Sequence, residues 1–242
     1  MLNEGCKAKI ALGCFALLIL FFVDVTAKER ADTGQHKKPV RNMPEIDATD
    51  VGTVDIEQET NIFAAAAVAN LSANYGLAAG WDLGLSLLNG QFVSTAVPSV
   101  PFQPDLMLSV EKHWLTQDRQ LIAGTQSGLG LLAQTTVFMS FSYLEYQRHL
   151  PDWDTNVDTG LYYANAALAG FQSVGLHVNI EAPLFDKLRI NGDYLSGSNA
   201  LGAATVKLLY PVVGDWRLGL GVQRPNAYAG DHWVGLVGIY WH

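Results

Sequence analysis

Few side chains in this 242-residue chain are equipped for chemistry, and those that are consist mainly of histidines and carboxylates at even spacings. Glu111 and His113 lie two apart, and His177 and Glu181 lie four apart. On an extended chain both spacings put the pair on one strand face. Two imidazoles with two carboxylates could ligate a transition metal or pass a proton. The plainer reading, preferred here, is a set of polar side chains facing a watery interior. Ser140 and Ser142 with His149 come nearest to a hydrolytic set, but no nucleophile elbow surrounds them. His149, beside Arg148, Pro151 and Asp152, reads as a turn residue. Asp152, Asp154 and Asp158 around Trp153 lack the oxygen-ligand spacing of a calcium loop. No catalytic residue, resident metal or cofactor is therefore expected.

The elements that would hold these residues are strands. Trp81, Leu83, Leu85 and Leu87 alternate with Asp82, Gly84 and Ser86, and Leu106, Leu108 and Val110 with Ser109, Glu111 and His113. Val174, Leu176, Val178 and Ile180 alternate with Gly175, His177, Asn179 and Glu181. Trp216, Leu218, Leu220 and Val222 alternate with Arg217, Gly219, Gly221 and Gln223, and the last strand shows Trp233, Gly235, Val237, Ile239 and Trp241 on one face. A period of two over successive segments is the strand signature, and beyond residue 76 no stretch offers a period near 3.6. The pattern predicts about twelve strands: 51–60, 62–76, 80–93, 104–115, 120–131, 134–148, 155–168, 172–182, 187–197, 200–211, 215–225 and 231–241. Tight turns at 115–119, 183–187 and 211–215 alternate with longer connections at 92–103, 196–201 and 224–231. An outer-membrane barrel has short turns at one rim and long loops at the other.

Composition narrows the class. The chain is 49% hydrophobic and 16% charged, with 23 Gly and a formal net charge of −8, which excludes disorder and leaves no basic surplus for nucleic acid. Lys7 and Lys9 precede an apolar run, Ile10–Val23, closed by Val25-Thr26-Ala27, so residues 1–27 read as a cleaved signal peptide. That cleavage removes both cysteines, Cys6 and Cys14. Residues 28–50 read as a polar periplasmic segment, of which 28–48 would form a mobile lead-in, a solvated tail in preference to a folded plug. No later stretch has the length of a membrane helix, so a membrane domain over 51–242 would have to be a closed β-barrel. Aromatics near strand ends (Tyr75, Trp81, Trp114, Trp153, Phe185, Tyr210, Trp216, Trp233, Trp241) suit the interfacial girdles of such a barrel. A soluble sandwich or lipocalin-like barrel would share the alternation, with its apolar face inward.

The stretch Asn74-Tyr75-Gly76-Leu77-Ala78-Ala79-Gly80-Trp81-Asp82-Leu83-Gly84-Leu85-Ser86-Leu87 resembles a strand–turn–strand of the MetA-pathway-of-phenol-degradation family and similar transporter-like barrels. Asp193–Gly202 and Trp216–Gly221 resemble further parts of such barrels. The resemblance implies a bacterial outer-membrane channel or uptake barrel for small solutes, hydrophobic ones included. The expected architecture is accordingly an all-β, antiparallel transmembrane barrel, not an enzyme. Outer-membrane lipids and a small-molecule solute would be its partners. Asp82, Glu111, His113, His177, Glu181, Arg189, Asp193, Lys207 and Arg217 would then line the lumen and pair across it or set its selectivity. A barrel enzyme acting on membrane lipids and a closed structural or adhesive barrel are the alternatives.

Overall fold

The computed structural model describes residues 49–63, 66–94, 104–115, 119–130, 136–171, 173–226 and 233–241. The expected signal peptide and nearly all of the polar segment 28–50 lie outside the described residues. The strands are β1 (Val54–Ile62), β2 (Ala66–Leu77), β3 (Trp81–Ser94), β4 (Asp105–Leu115), β5 (Arg119–Gly130), β6 (Val137–Leu150), β7 (Thr155–Ala164), β8 (Ser173–Pro183), β9 (Arg189–Leu195), β10 (Ala203–Val213), β11 (Trp216–Pro225) and β12 (Val234–Trp241). Each pairs antiparallel with its sequence neighbour, and β1 pairs with β12, so the sheet closes as a twelve-stranded barrel with no free edge. Closure is what lets a sheet sit in lipid, because every ladder donor and acceptor finds a partner.

The two faces separate as the alternation requires. Leu71, Leu83, Leu85, Leu108, Val110, Leu144, Leu161, Leu176, Leu220 and Ile239 are exposed on the outside, and their strand neighbours of opposite parity are buried inside. A soluble barrel would show the reverse. The β2–β3, β4–β5, β6–β7, β8–β9 and β10–β11 connections lie at one rim, the turn rim, with the start of β1 and the end of β12. The remaining connections lie at the opposite loop rim. Outward aromatics gather at the turn rim, where Trp216 and Trp241 stack at 6.1 Å and Lys112 Nζ sits between the Trp81 and Trp114 rings at 5.4 and 5.9 Å. At the loop rim Arg224 lies 5.6 Å from the Trp233 ring. An arginine in place of Leu108, mid-strand on the outer face, is expected to lower folding stability in bilayers by about 2–4 kcal/mol, and in place of rim residue Val212 by about 0–1 kcal/mol. Urea titration of refolding into liposomes measures both.

Departures from strict alternation have local causes. On β3, Asn89 adopts φ 59°, and the β2–β3 register shifts between Ala69 and Leu71. This bulge sets Leu88 and Asn89 against Asn70, whose Oδ1 accepts the Asn89 N–H at 2.8 Å, while Asn89 Nδ2 donates to Asp105 Oδ2 at 2.7 Å. Asparagine is the side chain that tolerates this left-handed backbone most readily after glycine. The strand expected at 155–168 stops at Ala164, because Asn165 caps a short helix, α1 (Ala166–Ala169). Asn165 Oδ1 accepts the Leu168 N–H at 3.1 Å, and Gly170 (φ 89°) closes the helix in the left-handed region.

The first strand also differs from expectation, starting at Val54 and not at 51. Residues 49–53 lie against the inner face of the turn rim. Thr49 is buried, its N–H donates to Asp82 Oδ2 at 2.9 Å, and Gly52 N–H donates to Gly76 O at 2.9 Å. A Cβ at Gly76 would fall 2.2 Å from the Asp50 carbonyl oxygen, so glycine is what admits this approach. Thr49 and Asp50, directly after the stretch 28–48 expected as a solvated tail, are thus docked on the barrel wall.

Candidate functional site

All nine charged residues singled out in the sequence sit at inward-facing positions, and strand register decides which of them meet. Glu111 and His113 (β4) do not join His177 and Glu181 (β8): three strands, β5 to β7, lie between the pairs, and each finds other partners. Asp82 on β3 is the cross-strand partner of Glu111. His113 Nε2 lies 3.2 Å from Asp82 Oδ2 and 3.4 Å from Glu111 Oε2, with the imidazole fully buried. Both carboxylates therefore converge on one ring nitrogen.

His177 is built differently. Its Nδ1 lies 2.8 Å from Glu145 Oε1 on β6 and its Nε2 2.5 Å from Asp193 Oδ1 on β9. Each carboxylate takes its own ring nitrogen, which completes a hydrogen-bonded bridge across four adjacent strands. Gly160 on β7 makes the span possible: a Cβ there would fall 2.5 Å from Glu145 Cγ, so the glutamate lies flat over the gap toward His177. Glu145 was not among the residues singled out. Its alternation signal exists, but only the β6–β7–β8 register makes it a histidine partner.

Glu181, Arg189 and Asp154 form a third group near the turn rim. Arg189 Nε donates to Glu181 Oε1, and its two other nitrogens to Asp154 Oδ2 and O at 2.8 Å each. Asp154, read from sequence as part of an acidic turn, thus serves an arginine. On the adjoining wall, from β10 across to β1, Lys207 Nζ lies 3.8 Å from Glu59 Oε2 and 5.4 Å from the Tyr240 ring centroid, and Tyr240 donates to Glu59 Oε2 at 3.1 Å. The stem of Lys207 passes over Gly221, where a Cβ would fall 2.8 Å from its Cγ. Arg217 is half-buried, in register between Pro211 and Tyr240. Fixed pairs of both signs line the wall, with no broad field of one sign.

The interior is not polar throughout, contrary to the expectation of a polar lumen. Leu88, Met107, Ile122, Met139, Phe141, Tyr143, Tyr162, Leu195, Leu168 and Leu201 form a buried apolar cluster that runs from Ile122, beside His113, to the loop rim. Leu168 comes from α1 and Leu201 from the β9–β10 connection, and Ala200 N–H donates to Ala169 O at 3.0 Å. Two connections at the loop rim therefore fold inward and fasten to each other. Asn199 holds the second in place, donating to Tyr162 Oη at 3.0 Å and accepting the Leu201 and Gly202 N–H groups at 2.9 Å each. Ser140 and Ser142 face outward, beside Ser127 and Thr125, away from His149. His149 is a strand residue of β6, not the turn residue expected, and its Nδ1 lies 2.8 Å from Asn156 Oδ1.

Among solved structures, the chain is similar to a KdgM porin in complex with disordered oligogalacturonate (TM-score 0.55, 13% identity, 78% of this chain and 98% of that one). It is also similar to a NanC porin (TM-score 0.53, 11% identity, 78% of this chain and 100% of that one). The fold is that of an outer-membrane porin. With its apolar exterior and aromatic rims, the chain is an outer-membrane β-barrel. No protein-family model matches it, and no curated protein does.

Proposed function

We propose that the barrel is a passive outer-membrane channel, a transporter-like porin for small solutes, with the turn rim toward the periplasm. The observation that carries this reading is the unequal wetness of the inner wall. Across β3–β6 it is dry, with Met107, Ile122 and Met139 at most 1% exposed. The charged side chains of β8 and β9 keep contact with solvent: His177 at 19%, Asp193 at 24% and Arg189 at 23%. A barrel of twelve strands is wider than one that side chains fill completely. Partly solvated ion pairs along one side therefore support an off-centre polar path beside a dry wall. The apolar cluster at the loop rim suits solutes that carry a hydrophobic part as well as a polar one. Kinship with the phenol-degradation barrels is proposed on the short motifs alone.

Liposome swelling tests this. Refolded protein is expected to speed the equilibration of small uncharged solutes and of compact ions, with a sharp falloff as solute size grows. Swelling no faster than in protein-free liposomes overturns it. Inward folding of α1 and the β9–β10 connection favours a second reading, a closed structural barrel. Leu168→Ala with Leu201→Ala separates the two: it is expected to raise flux through a gated channel and to leave a closed barrel silent.

A further inference from the structure

The geometry points to a divalent metal site on the inner wall formed by Asp82, Glu111 and His113, with zinc the ion best matched to its donors. It goes beyond the channel reading and does not depend on it. The donor atoms of the three residues lie within 4.8 Å of one another, and all three residues are buried. His113 supplies the deciding observation: it is 3% exposed, and neither Nδ1 nor Nε2 makes a hydrogen bond. A buried imidazole with both nitrogens unsatisfied is costly and uncommon.

The contrast with His177 argues against the simplest alternative, a hydrogen-bonded imidazolium. There the carboxylates divide between two nitrogens; at His113 both oxygens converge on Nε2, which has one proton or one lone pair to offer. A lone pair and two carboxylate oxygens facing a common point suit a cation. Zinc takes nitrogen and oxygen ligands at about 2.0–2.2 Å, which sets donor–donor edges near 3.4 Å in a tetrahedron. The observed separations from Nε2, 3.2 and 3.4 Å, are of that size. Three protein ligands leave a fourth position for water. Imidazole with carboxylates favours a transition ion over calcium or magnesium. Asp82 also accepts the Thr49 N–H, so a bound ion would fasten the segment before β1 to the wall.

The test uses the full mature chain, refolded in detergent and stripped with chelator. Zn²⁺ binding is followed by titration calorimetry, and Co²⁺ by its visible absorption. One equivalent of each is expected, with a Co²⁺ spectrum of low coordination number. His113→Ala should weaken binding at least tenfold, whereas His177→Ala, which removes an imidazole from an equally acidic neighbourhood, should not. If His113→Ala fails to give the folded, heat-modifiable gel band, Glu111→Gln serves, with the same expected loss. No saturable binding, or affinity unchanged in a folded variant of His113 or Glu111, overturns the site.

Discussion

Replacing Gly128 with alanine is expected to destabilise the folded, heat-modifiable form strongly. The added Cβ would fall 1.8 Å from the Leu106 carbonyl oxygen and 2.7 Å from Met107 Cα, both backbone atoms of the adjoining strand. Backbone in a closed barrel cannot yield locally, because each strand is held from both sides. The cost should reach about 3 kcal/mol, the upper end of what forced overpacking produces. Gly192→Ala is the control, since its Cβ meets nothing within 4 Å. It should be neutral or slightly stabilising through loss of unfolded-state freedom. Urea unfolding followed by gel shift measures both. Equal stability of the two variants would refute the packing assigned to Gly128.

The second large effect is expected at His177. His177→Leu strands the carboxylates of Glu145 and Asp193, which the imidazole holds at 2.8 and 2.5 Å. Removing one partner of a buried charged bridge costs about 3–5 kcal/mol, and the residual 19% exposure of His177 places this case near 3 kcal/mol. Most of that loss is the penalty of unpaired charge, so neutralising the partners should return it. The triple variant with Glu145→Gln and Asp193→Asn is therefore expected to recover more than half of the lost stability. A triple variant as unstable as the single one would show that His177 acts through packing.

The strands were legible because a barrel in lipid has two chemically opposite surroundings, and the chain meets them in turn at every residue. That is why Trp81 to Leu87 or Val174 to Glu181 reveal strand and facing at once, and why the nine charged residues were read onto the inner face. What could not be read is which inward residues meet. Glu111–His113 and His177–Glu181 look like one composite cluster along the chain, yet the sheet sets them four strands apart and gives His113 to Asp82, and His177 to Glu145 and Asp193. Such partnerships depend on cross-strand register and on glycine gaps. Gly160 lets Glu145 lie down toward His177, and Gly221 admits Lys207. The α1 turn was hidden for another reason: Ala-Ala-Leu-Ala carries on the alternation of the strand before it, and only the Asn165 and Gly170 caps mark the break. The apolar half of the interior was equally hidden, since Met107, Ile122 and Met139 break the polar parity only in ones and twos.

Water and small solutes are proposed to pass along the partly solvated side of this barrel. Single-channel recording of the refolded protein in planar bilayers tests it most directly. Discrete, ohmic conductance steps are predicted, larger in the Leu168→Ala, Leu201→Ala variant than in the parent. Bilayers that stay silent for both proteins, each shown to be inserted and heat-modifiable, would contradict it.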